Sequence, residues 1–308
     1  MSRSIRITLL CLAVSIFSVP TLAETQYPLT MTYGEGQTLT LDSRPQSISS
    51  LTLFTDEILM SLVNSDRIKS MTFLAGDPVF SNVAGNIPEG MTLLDMNVEA
   101  IIQIYPDIVF VANWSDAGKV EQLRQAGIPV YLIDTPVTLE SIEAEILKIA
   151  QILDVETKGQ ALIDDMNVRL SSLKTESERL HTKQWVALDY NSWGTASGLG
   201  TTWNEVMTHA GLINGAARYE VGDFGQVALS KEMIVSVNPD ILFLPGWIYG
   251  DPEGSEKFKN QVLSDPALRD VSAIKQKRVY MIPENLRGTY SHYIVDAIQF
   301  VNSVVRTQ

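Results

Sequence analysis

Large aromatic side chains lie at or near the ends of several strands that the sequence predicts. A strand is predicted where a short apolar, β-branched run is bounded by turn residues. Aromatic residues that follow separate strands, all at one end of the sheets, favour a concave site in which their rings stack on a ligand. The candidate ligand contacts of this kind, with one of them in a loop, are Trp114, Tyr190, Trp193, Phe224, Trp247 and Tyr249.

Two polar candidates follow another predicted strand, at residues 278–282. Arg287 and Tyr290 come shortly after this strand ends. A guanidinium and a phenol supply the charge and the hydrogen bonds that orient a ligand between aromatic rings. The sequence therefore predicts a binding cleft with aromatic walls and a few polar groups.

No catalytic or metal-binding motif accompanies these residues. Gly198 and Gly200 lack the third glycine of a dinucleotide-binding fingerprint, and neither a P-loop nor a nucleophile elbow is present. The histidines, His181, His209 and His292, are scattered, whereas a free metal ion needs several ligands together. His292 falls nearest the predicted cleft and is the one candidate ligand for a haem iron. We predict no catalytic residue, no metal site and no cofactor, with iron or cobalt present only inside a bound ligand.

An internal repeat indicates the elements that position these residues. In each copy a glutamate precedes a Pro-Asp pair by seven residues, and a buried apolar run follows the pair directly. The glutamates are Glu99 and Glu232, and the copies cover residues 99–111 and 232–244. Each copy predicts a short helix ended by proline and then a strand buried on both faces, as in parallel sheets. The offset of 133 residues is the size of a domain, so the sequence predicts two similar α/β lobes.

A long helical stretch lies between the two copies. Residues 141–153 are predicted as a surface helix of the first lobe, and residues 157–180 as a rigid connector between the lobes. A helix of about 20 residues spans about 30 Å. Since no Gly/Ser hinge is present, we expect small lobe motions and a largely preformed cleft. Other predicted helices and strands are residues 120–125, 130–133, 185–189, 203–210, 268–275 and 278–282.

The first 23 residues have the three-part pattern of a secretory signal peptide. Arg3 and Arg6 precede an apolar run at residues 7–19, and small residues lead up to Ala23. The run is too short for an ordinary transmembrane helix, although a retained N-terminal anchor is the alternative. The single cysteine, Cys11, lies inside this run, so the chain from Glu24 onwards offers neither a disulfide nor a thiolate metal site. The expected organisation is a signal peptide at 1–23, an N-terminal lobe at 24–155, a connecting helix at 156–180 and a C-terminal lobe at 181–308.

The charge of the exported chain is strongly negative. Without the first 23 residues, 21 basic residues remain against 36 acidic ones, a net charge near −15. Such a charge repels nucleic acids and anionic membrane surfaces and suits a partner with a basic face. We therefore expect no nucleic-acid or membrane-surface partner. Separately, we expect the exported protein to be a periplasmic monomer.

The order and spacing of these segments resemble the class III solute-binding proteins of ABC importers, which carry iron-siderophores, haem and cobalamin. The resemblance covers nearly the whole chain after the signal peptide. Near its start, Thr55-Asp56-Glu57 offers two acids at the position of the family's threonine-acid helix start. The other segments that carry the resemblance are residues 44–51, both Pro-Asp copies, and residues 198–205, 210–214, 263–266 and 277–280.

The resemblance implies an α/β fold of two Rossmann-like lobes with parallel sheets, joined by one long connecting helix. It also implies a ligand in the cleft between the lobes, where the carboxyl ends of the strands face one another. Glu99 and Glu232, one in each lobe, would dock on arginines of the permease. The alternative for these two residues is structural, because a carboxylate is favoured at any helix N-terminus.

The resemblance further implies a function in import rather than catalysis. We expect a periplasmic substrate-binding protein that delivers a metal chelate or a corrinoid to the permease of an ABC importer. A ferric siderophore ranks first, cobalamin second and haem third, and the scarcity of basic residues at the cleft disfavours a highly anionic catecholate. The alternatives of another class are a ligand sensor for a signalling partner and an enzyme on a two-lobe scaffold.

Overall fold

A computed structural model describes residues 25–34, 36–180 and 184–306 of the chain. The predicted signal peptide with Cys11, and His181, lie outside these residues. None of the helices in the described ranges is both long enough and apolar enough to cross a membrane.

The N-terminal lobe is built on a five-stranded parallel sheet. The strands of the whole lobe are β1 (Leu29–Tyr33), β2 (Gln37–Leu41), β3 (Ile48–Ser50), β4 (Ile68–Thr72), β5 (Thr92–Leu94), β6 (Ile108–Ala112) and β7 (Val130–Ile133). Its helices are α1 (Leu53–Leu62), α2 (Val98–Ile104), α3 (Ala117–Gln125) and α4 (Leu139–Ile152). The parallel sheet has the order β5-β4-β3-β6-β7, and β1 and β2 form a separate antiparallel pair. A helix connects β3 to β4, β5 to β6 and β6 to β7, as in the crossover connections that parallel strands require.

The C-terminal lobe follows the connecting helix α5 (Glu156–Leu180) and has a four-stranded parallel sheet. The strands of the whole lobe are β8 (Trp185–Asp189), β9 (Thr195–Ser197), β10 (Leu212–Asn214), β11 (Gln226–Ala228), β12 (Ile241–Pro245) and β13 (Val279–Ile282). Its helices are α6 (Thr202–His209), α7 (Lys231–Val237), α8 (Gly254–Ser264), α9 (Ser272–Lys275), α10 (Glu284–Arg287) and α11 (Ile294–Arg306). The sheet order is β10-β8-β12-β13, and β9 pairs with β11 in a small antiparallel sheet. The predicted fold class, two α/β lobes with parallel sheets and one long connecting helix, is confirmed.

The repeated segment folds in the same way in both lobes. α2 and α7 have seven residues each, and each is followed by a fully buried strand in the interior of its sheet, β6 or β12. The backbone N–H of Asp107 donates to Ser47 at 2.7 Å, and the Asp107 carboxylate accepts from the N–H of Gln46 and of Ser47. Asp240 repeats this arrangement with Val186, at 2.8 Å for the backbone bond and 3.0 Å for the carboxylate. The Pro-Asp aspartates therefore fix the start of the neighbouring strand.

One predicted helix is partly wrong. The stretch 268–275 is helical only in α9, from Ser272 onwards. Before it, Asp265 accepts the N–H of Leu268, and Leu268 accepts that of Val271, so the chain makes successive short turns. Leu268 and Val271 are both buried. Their apolar spacing therefore comes from turns that pack against the lobe and not from a helix.

A polar seam joins the two lobes beneath the cleft. The buried carboxylate of Glu57, on α1, accepts from the N–H and the side-chain amide of Asn82 at 3.0 and 2.8 Å, and also from the hydroxyl of Ser291. Asn82 and Asn285 exchange two further hydrogen bonds across the seam. Nearby, the Ser61 hydroxyl lies 3.2 Å from Nε2 of His292. Residues 57, 61 and 82 belong to one lobe and 285, 291 and 292 to the other, so these bonds fix the distance between the lobes.

The connecting helix adds a second link between the lobes. α5 packs against α1 and α4 of the N-terminal lobe and against α11 of the C-terminal lobe. Arg169 of α5 pairs with Asp296 of α11 at 2.8 Å. A continuous helix of 25 residues without a proline resists bending far more than a flexible linker does.

Asp56 is buried next to the seam. Its carboxylate accepts from the N–H of Thr72 at 3.1 Å and from the Thr72 hydroxyl at 2.5 Å, which ties α1 to the end of β4. Burial raises the pKa of Asp56 from 3.8 to about 8, against the hydrogen bonds, which lower it. In the unfolded chain the carboxyl releases its proton first, as the pH rises.

Asp56→Asn should therefore change how stability depends on pH. The folded protein holds the Asp56 proton more tightly than the unfolded chain does, so the wild type loses stability as the pH rises from about 4 towards 8. An asparagine keeps an acceptor for Thr72 but does not titrate. Urea unfolding at several pH values should show the wild type falling relative to Asp56→Asn over this range. Parallel curves for the two proteins would contradict the raised pKa.

Candidate functional site

A large cleft lies between the lobes at the carboxyl ends of the N-terminal strands. Its volume is about 1290 Å³, above the usual range of small-molecule pockets, about 300–1,000 Å³. Every strand of the five-stranded sheet contributes residues from its end or from the loop that follows. Those wall residues include Leu51, Thr52, Thr72, Phe73, Leu94, Asp95, Ala112, Trp114, Ile133 and Thr135. This is the edge at which open parallel sheets bind ligands.

The C-terminal lobe forms the opposite wall with three loops. These loops surround Ser197 at the end of β9, Phe224 just before β11, and α10 after β13. The ends of β8 and β12 do not reach the cleft, because the small β9–β11 sheet follows β8 in the chain and supplies the wall there. The two lobes therefore line the cleft differently despite their repeated units.

Four of the eight predicted ligand contacts line the cleft. Trp114 comes from the N-terminal lobe, and Phe224, Arg287 and Tyr290 come from the C-terminal lobe. The Trp114 and Phe224 side chains are 72 and 92 % exposed, so both rings are open to a ligand. These four residues bring together the stacking and polar groups that the sequence predicted.

Trp247 and Tyr249 are not among the residues that line the cleft, and Tyr249 is 84 % exposed. The Trp247 ring packs edge-on against Phe80 at 4.8 Å between centroids, and against Tyr249 at 6.0 Å. Phe80 belongs to the N-terminal lobe and does line the cleft. Trp247 therefore supports a wall residue across the lobe boundary.

Tyr190 and Trp193 also do not line the cleft. Tyr190 packs on Phe258 of α8 at 5.8 Å. Trp193 is 79 % exposed in a turn in which Asn191 accepts the N–H groups of Trp193 and Thr195. Since this turn leads the chain from β8 into β9, the residue that follows on the cleft wall is Ser197 instead.

Several apolar wall residues were absent from the sequence-based set. Phe73 and Leu74 come directly after β4, and Phe80 follows in the same loop. The rule that selected Trp114, an aromatic residue after a predicted strand, would also have selected Phe73 had the short strand β4 been recognised. Trp203, at the start of α6, is 2 % exposed and lines the cleft from below.

Charge in the cleft is sparse and mixed. The charged residues on its wall are Asp95, Asp116, Lys119, Glu284 and Arg287. Arg287 lies 3.5 Å from Glu284, and Lys119 donates to the carbonyl of Met96 at 3.0 Å. Burial raises the pKa of Glu284, and the Arg287 charge opposes that shift. The wall is therefore mainly apolar and aromatic, with one enclosed acid–base pair.

The histidines lie apart from the cleft wall in the described residues. His292 is buried in the seam, where desolvation lowers its pKa to about 4. His209 lies on α6, with Nε2 3.7 Å from Glu205. Across residues 25–34, 36–180 and 184–306, no group of three or more His, Cys, Asp or Glu side chains is arranged to hold a metal ion.

Glu99 and Glu232 occupy equivalent exposed positions on the two lobes. Each lies in the first turn of its helix, after a cap residue, Asn97 or Ser230, that accepts a backbone N–H. A hydrogen bond from Ser230 lowers the pKa of Glu232, which keeps this carboxylate ionised. Neither Glu99 nor Glu232 lines the cleft.

The chain belongs to the periplasmic binding protein family, whose model matches residues 48–286. This stretch covers most of both lobes, the whole connecting helix and two of the four predicted contacts on the cleft wall, Trp114 and Phe224. The other two, Arg287 and Tyr290, lie one and four residues beyond it.

Individual relatives agree with this assignment. The chain is 23 % identical, over 280 residues, to an uncharacterized ABC transporter substrate-binding lipoprotein, YvrC, of Bacillus subtilis, covering 89 % of this chain and 84 % of the relative. It is 26 % identical, over 239 residues, to the vitamin B12-binding protein of Vibrio parahaemolyticus, covering 75 and 82 %. A possible iron-binding, periplasmic solute-binding protein of Staphylococcus epidermidis has the same fold, with a TM-score of 0.73 at 17 % identity, covering 85 and 99 %.

Phe224 has an unfavourable backbone conformation at its position on the wall. Its φ of 55° lies in the left-handed region, which bulky residues rarely adopt. The loop is fixed by hydrogen bonds from Gly198 N–H to Gly225 at 2.8 Å and from Gly222 N–H to Gln226 at 2.7 Å. Backbone strain of this kind is often retained at binding sites because it positions a functional side chain.

Phe224→Gly should therefore be more stable than Phe224→Ala. Both variants remove the exposed ring, but only glycine relieves the left-handed strain, which costs about 1 kcal/mol for other residues. The free energy of unfolding in urea, measured for both variants, checks this. If alanine proves as stable as glycine at position 224, the strain is absent.

Proposed function

We propose that this protein captures a metal chelate or a corrinoid in the inter-lobe cleft and delivers it to the permease of an ABC importer. The observation that carries the proposal is the cleft itself, about 1290 Å³ with aromatic walls from both lobes, in a chain of the periplasmic binding protein family. A cleft of this size and composition suits a large, rigid ligand that presents flat or apolar faces. The proposed role is binding rather than catalysis.

A ferric siderophore is the first ligand that we propose. The rings of Trp114 and Phe224 can pack on the organic shell of a chelate, and Arg287 and Tyr290 can donate hydrogen bonds to its oxygen atoms. The cleft wall carries three acids against two bases, which disfavours a highly anionic catecholate. Iron would enter as part of the ligand, without a resident cofactor.

Cobalamin is the second candidate. It is supported by the vitamin B12-binding protein of Vibrio parahaemolyticus, which is similar to this chain over 239 residues. A corrin ring is large and flat, and its faces match aromatic walls on two sides of a cleft. Haem would fit by shape, but its carboxylates would meet few cations in this cleft.

Delivery would take place in the periplasm, with the protein acting as a monomer after removal of residues 1–23. Glu99 and Glu232 would meet arginines of the permease, one from each half of a two-fold partner. Charged pairs at an interface set the orientation and the association rate of the partners. The exposed, equivalent positions of the two carboxylates support this role.

The ligand can be identified directly. Native mass spectrometry of the protein isolated from its own periplasm should show an added mass equal to that of an iron chelate or a corrinoid. Trp114→Ala should weaken binding of that ligand by ~1–3 kcal/mol, because one stacking ring is lost. Trp193→Ala is the matched control, since this tryptophan is exposed but lies off the cleft wall, and its affinity should be unchanged. Equal affinities for both variants would contradict the proposed cleft.

Docking is tested by reversing both carboxylates. Glu99→Lys combined with Glu232→Lys should leave ligand affinity and melting temperature nearly unchanged, whereas uptake of radiolabelled ligand in cells should fall sharply. Each single reversal should give an intermediate loss, because each lobe docks separately. A pair of exposed acids away from these positions, Glu140→Lys with Glu256→Lys, controls for total charge. Normal uptake with the first pair would leave Glu99 and Glu232 as helix-start carboxylates only.

A further inference from the structure

An enclosed acid–base pair lies on the cleft wall at α10. Nη1 of Arg287 and Oε1 of Glu284 are 3.5 Å apart, and both side chains are more than four-fifths buried. This separation is too long for a good direct hydrogen bond. The pair therefore presents a donor group and an acceptor group side by side to the cleft.

A second carboxylate, which does not line the cleft, interacts electrostatically with Arg287. Asp189, at the end of β8, is 2 % exposed, and its oxygens accept from the N–H and the hydroxyl of Ser197 at 2.9 and 2.8 Å. Burial raises the pKa of Asp189, and the positive charge of Arg287 opposes the shift. Arg287 thus lies near two acids, Asp189 and Glu284, and its positive charge opposes the burial-induced rise in the pKa of each.

Two buried polar atoms of wall residues lack a hydrogen-bond partner in the part of the chain that the structure describes. They are Oε2 of Glu284, an acceptor, and Nε1 of Trp203, a donor. A buried polar atom without a partner costs free energy that a bound group can recover. A ligand that carries both a hydrogen-bond donor, for Glu284, and an acceptor, for Trp203, could satisfy both atoms.

We propose that the Glu284–Arg287 pair selects ligands with an uncharged carboxamide at this position and excludes those with a carboxylate. The amide oxygen would accept from Arg287 while the amide N–H donates to Glu284. A carboxylate could accept from Arg287, but its second oxygen would face Glu284, a like charge in an enclosed site. This inference rests on the proposed function, and it narrows the ligand to an amide-bearing chelate or corrinoid.

The selection separates ligand classes that the shape of the cleft does not. Corrinoids with side-chain amides and hydroxamate chelates with chain amides satisfy the pair. Porphyrins with propionates and chelates built on citrate do not. Ligands with a carboxylate at this position would be rejected by the Glu284 carboxylate rather than by the size of the cleft.

The test uses two matched pairs of probes. The first pair is cyanocobalamin and its monocarboxylic acids, each made by hydrolysis of one side-chain amide and measured as a separate isomer. The second pair is ferric N-acetyl ferrioxamine B, which is uncharged, and the N-succinyl derivative, which carries a carboxylate. Dissociation constants are measured by calorimetry for the full exported protein, for Glu284→Gln and for Glu178→Gln. The last variant removes an exposed acid on α5 and matches the change of total charge.

We expect the wild type and Glu178→Gln to bind the amide member of at least one pair about 10-fold more tightly than its acid. In Glu284→Gln this ratio should fall to about twofold or less, because an amide at position 284 no longer repels the acid. Equal binding of amide and acid by the wild type would overturn the inference while leaving the proposed function intact. So would a ratio that persists in Glu284→Gln. If neither pair binds any of the three proteins, the proposed function fails, and the inference fails with it.

Discussion

The cleft depends on one buried carboxylate between the lobes. Glu57 accepts hydrogen bonds from Asn82 in its own lobe and from Ser291 in the other, and the two asparagines, Asn82 and Asn285, close the seam around it. Burial raises the pKa of Glu57, so its hydrogen bonds must offset a desolvation cost. Removing one partner while the seam stays closed would leave a buried polar group unsatisfied, so the seam depends on the complete set of hydrogen bonds. With the seam closed, the walls that carry Trp114 and Phe224 are held at a set separation.

The repeated unit explains how each lobe presents its residues. A short helix carries an exposed glutamate in its first turn, and the aspartate three residues after the end of that helix fixes the start of the adjacent strand. The strand that follows is buried on both faces, so its carboxyl end is positioned by packing on all sides. In the N-terminal lobe this end opens into the cleft. In the C-terminal lobe the β9–β11 sheet and α10 take that place, which gives the second wall its own chemistry, including the Glu284–Arg287 pair.

Patterns of local origin predicted most of the fold. The Pro-Asp repeat located both central strands, and β7 and β8 were predicted with their observed ends, because apolar runs between turn residues report burial directly. The stretch at 268–275 failed because its spacing also fits consecutive turns. Tyr190 and Trp193 were chosen for following a strand, but Asn191 turns the chain away from the cleft, and sequence spacing does not show such a turn. Phe80 was missed because the short strand β4 before its loop was not recognised, and Glu284 was passed over although it follows the same strand as Arg287.

A distance between the lobes tests this account most directly. The only cysteine, Cys11, lies in the predicted signal peptide, so spin labels can be placed uniquely at Glu121→Cys and Glu256→Cys, exposed sites on different lobes. Pulsed electron resonance should then give one narrow distance distribution in the free protein. Its mean should change by less than about 2 Å when cyanocobalamin or ferric N-acetyl ferrioxamine B binds, as for other preorganised sites. A broad distribution of distances in the free protein, with a mean that falls by many ångströms when ligand binds, would contradict a cleft preformed by the Glu57 seam.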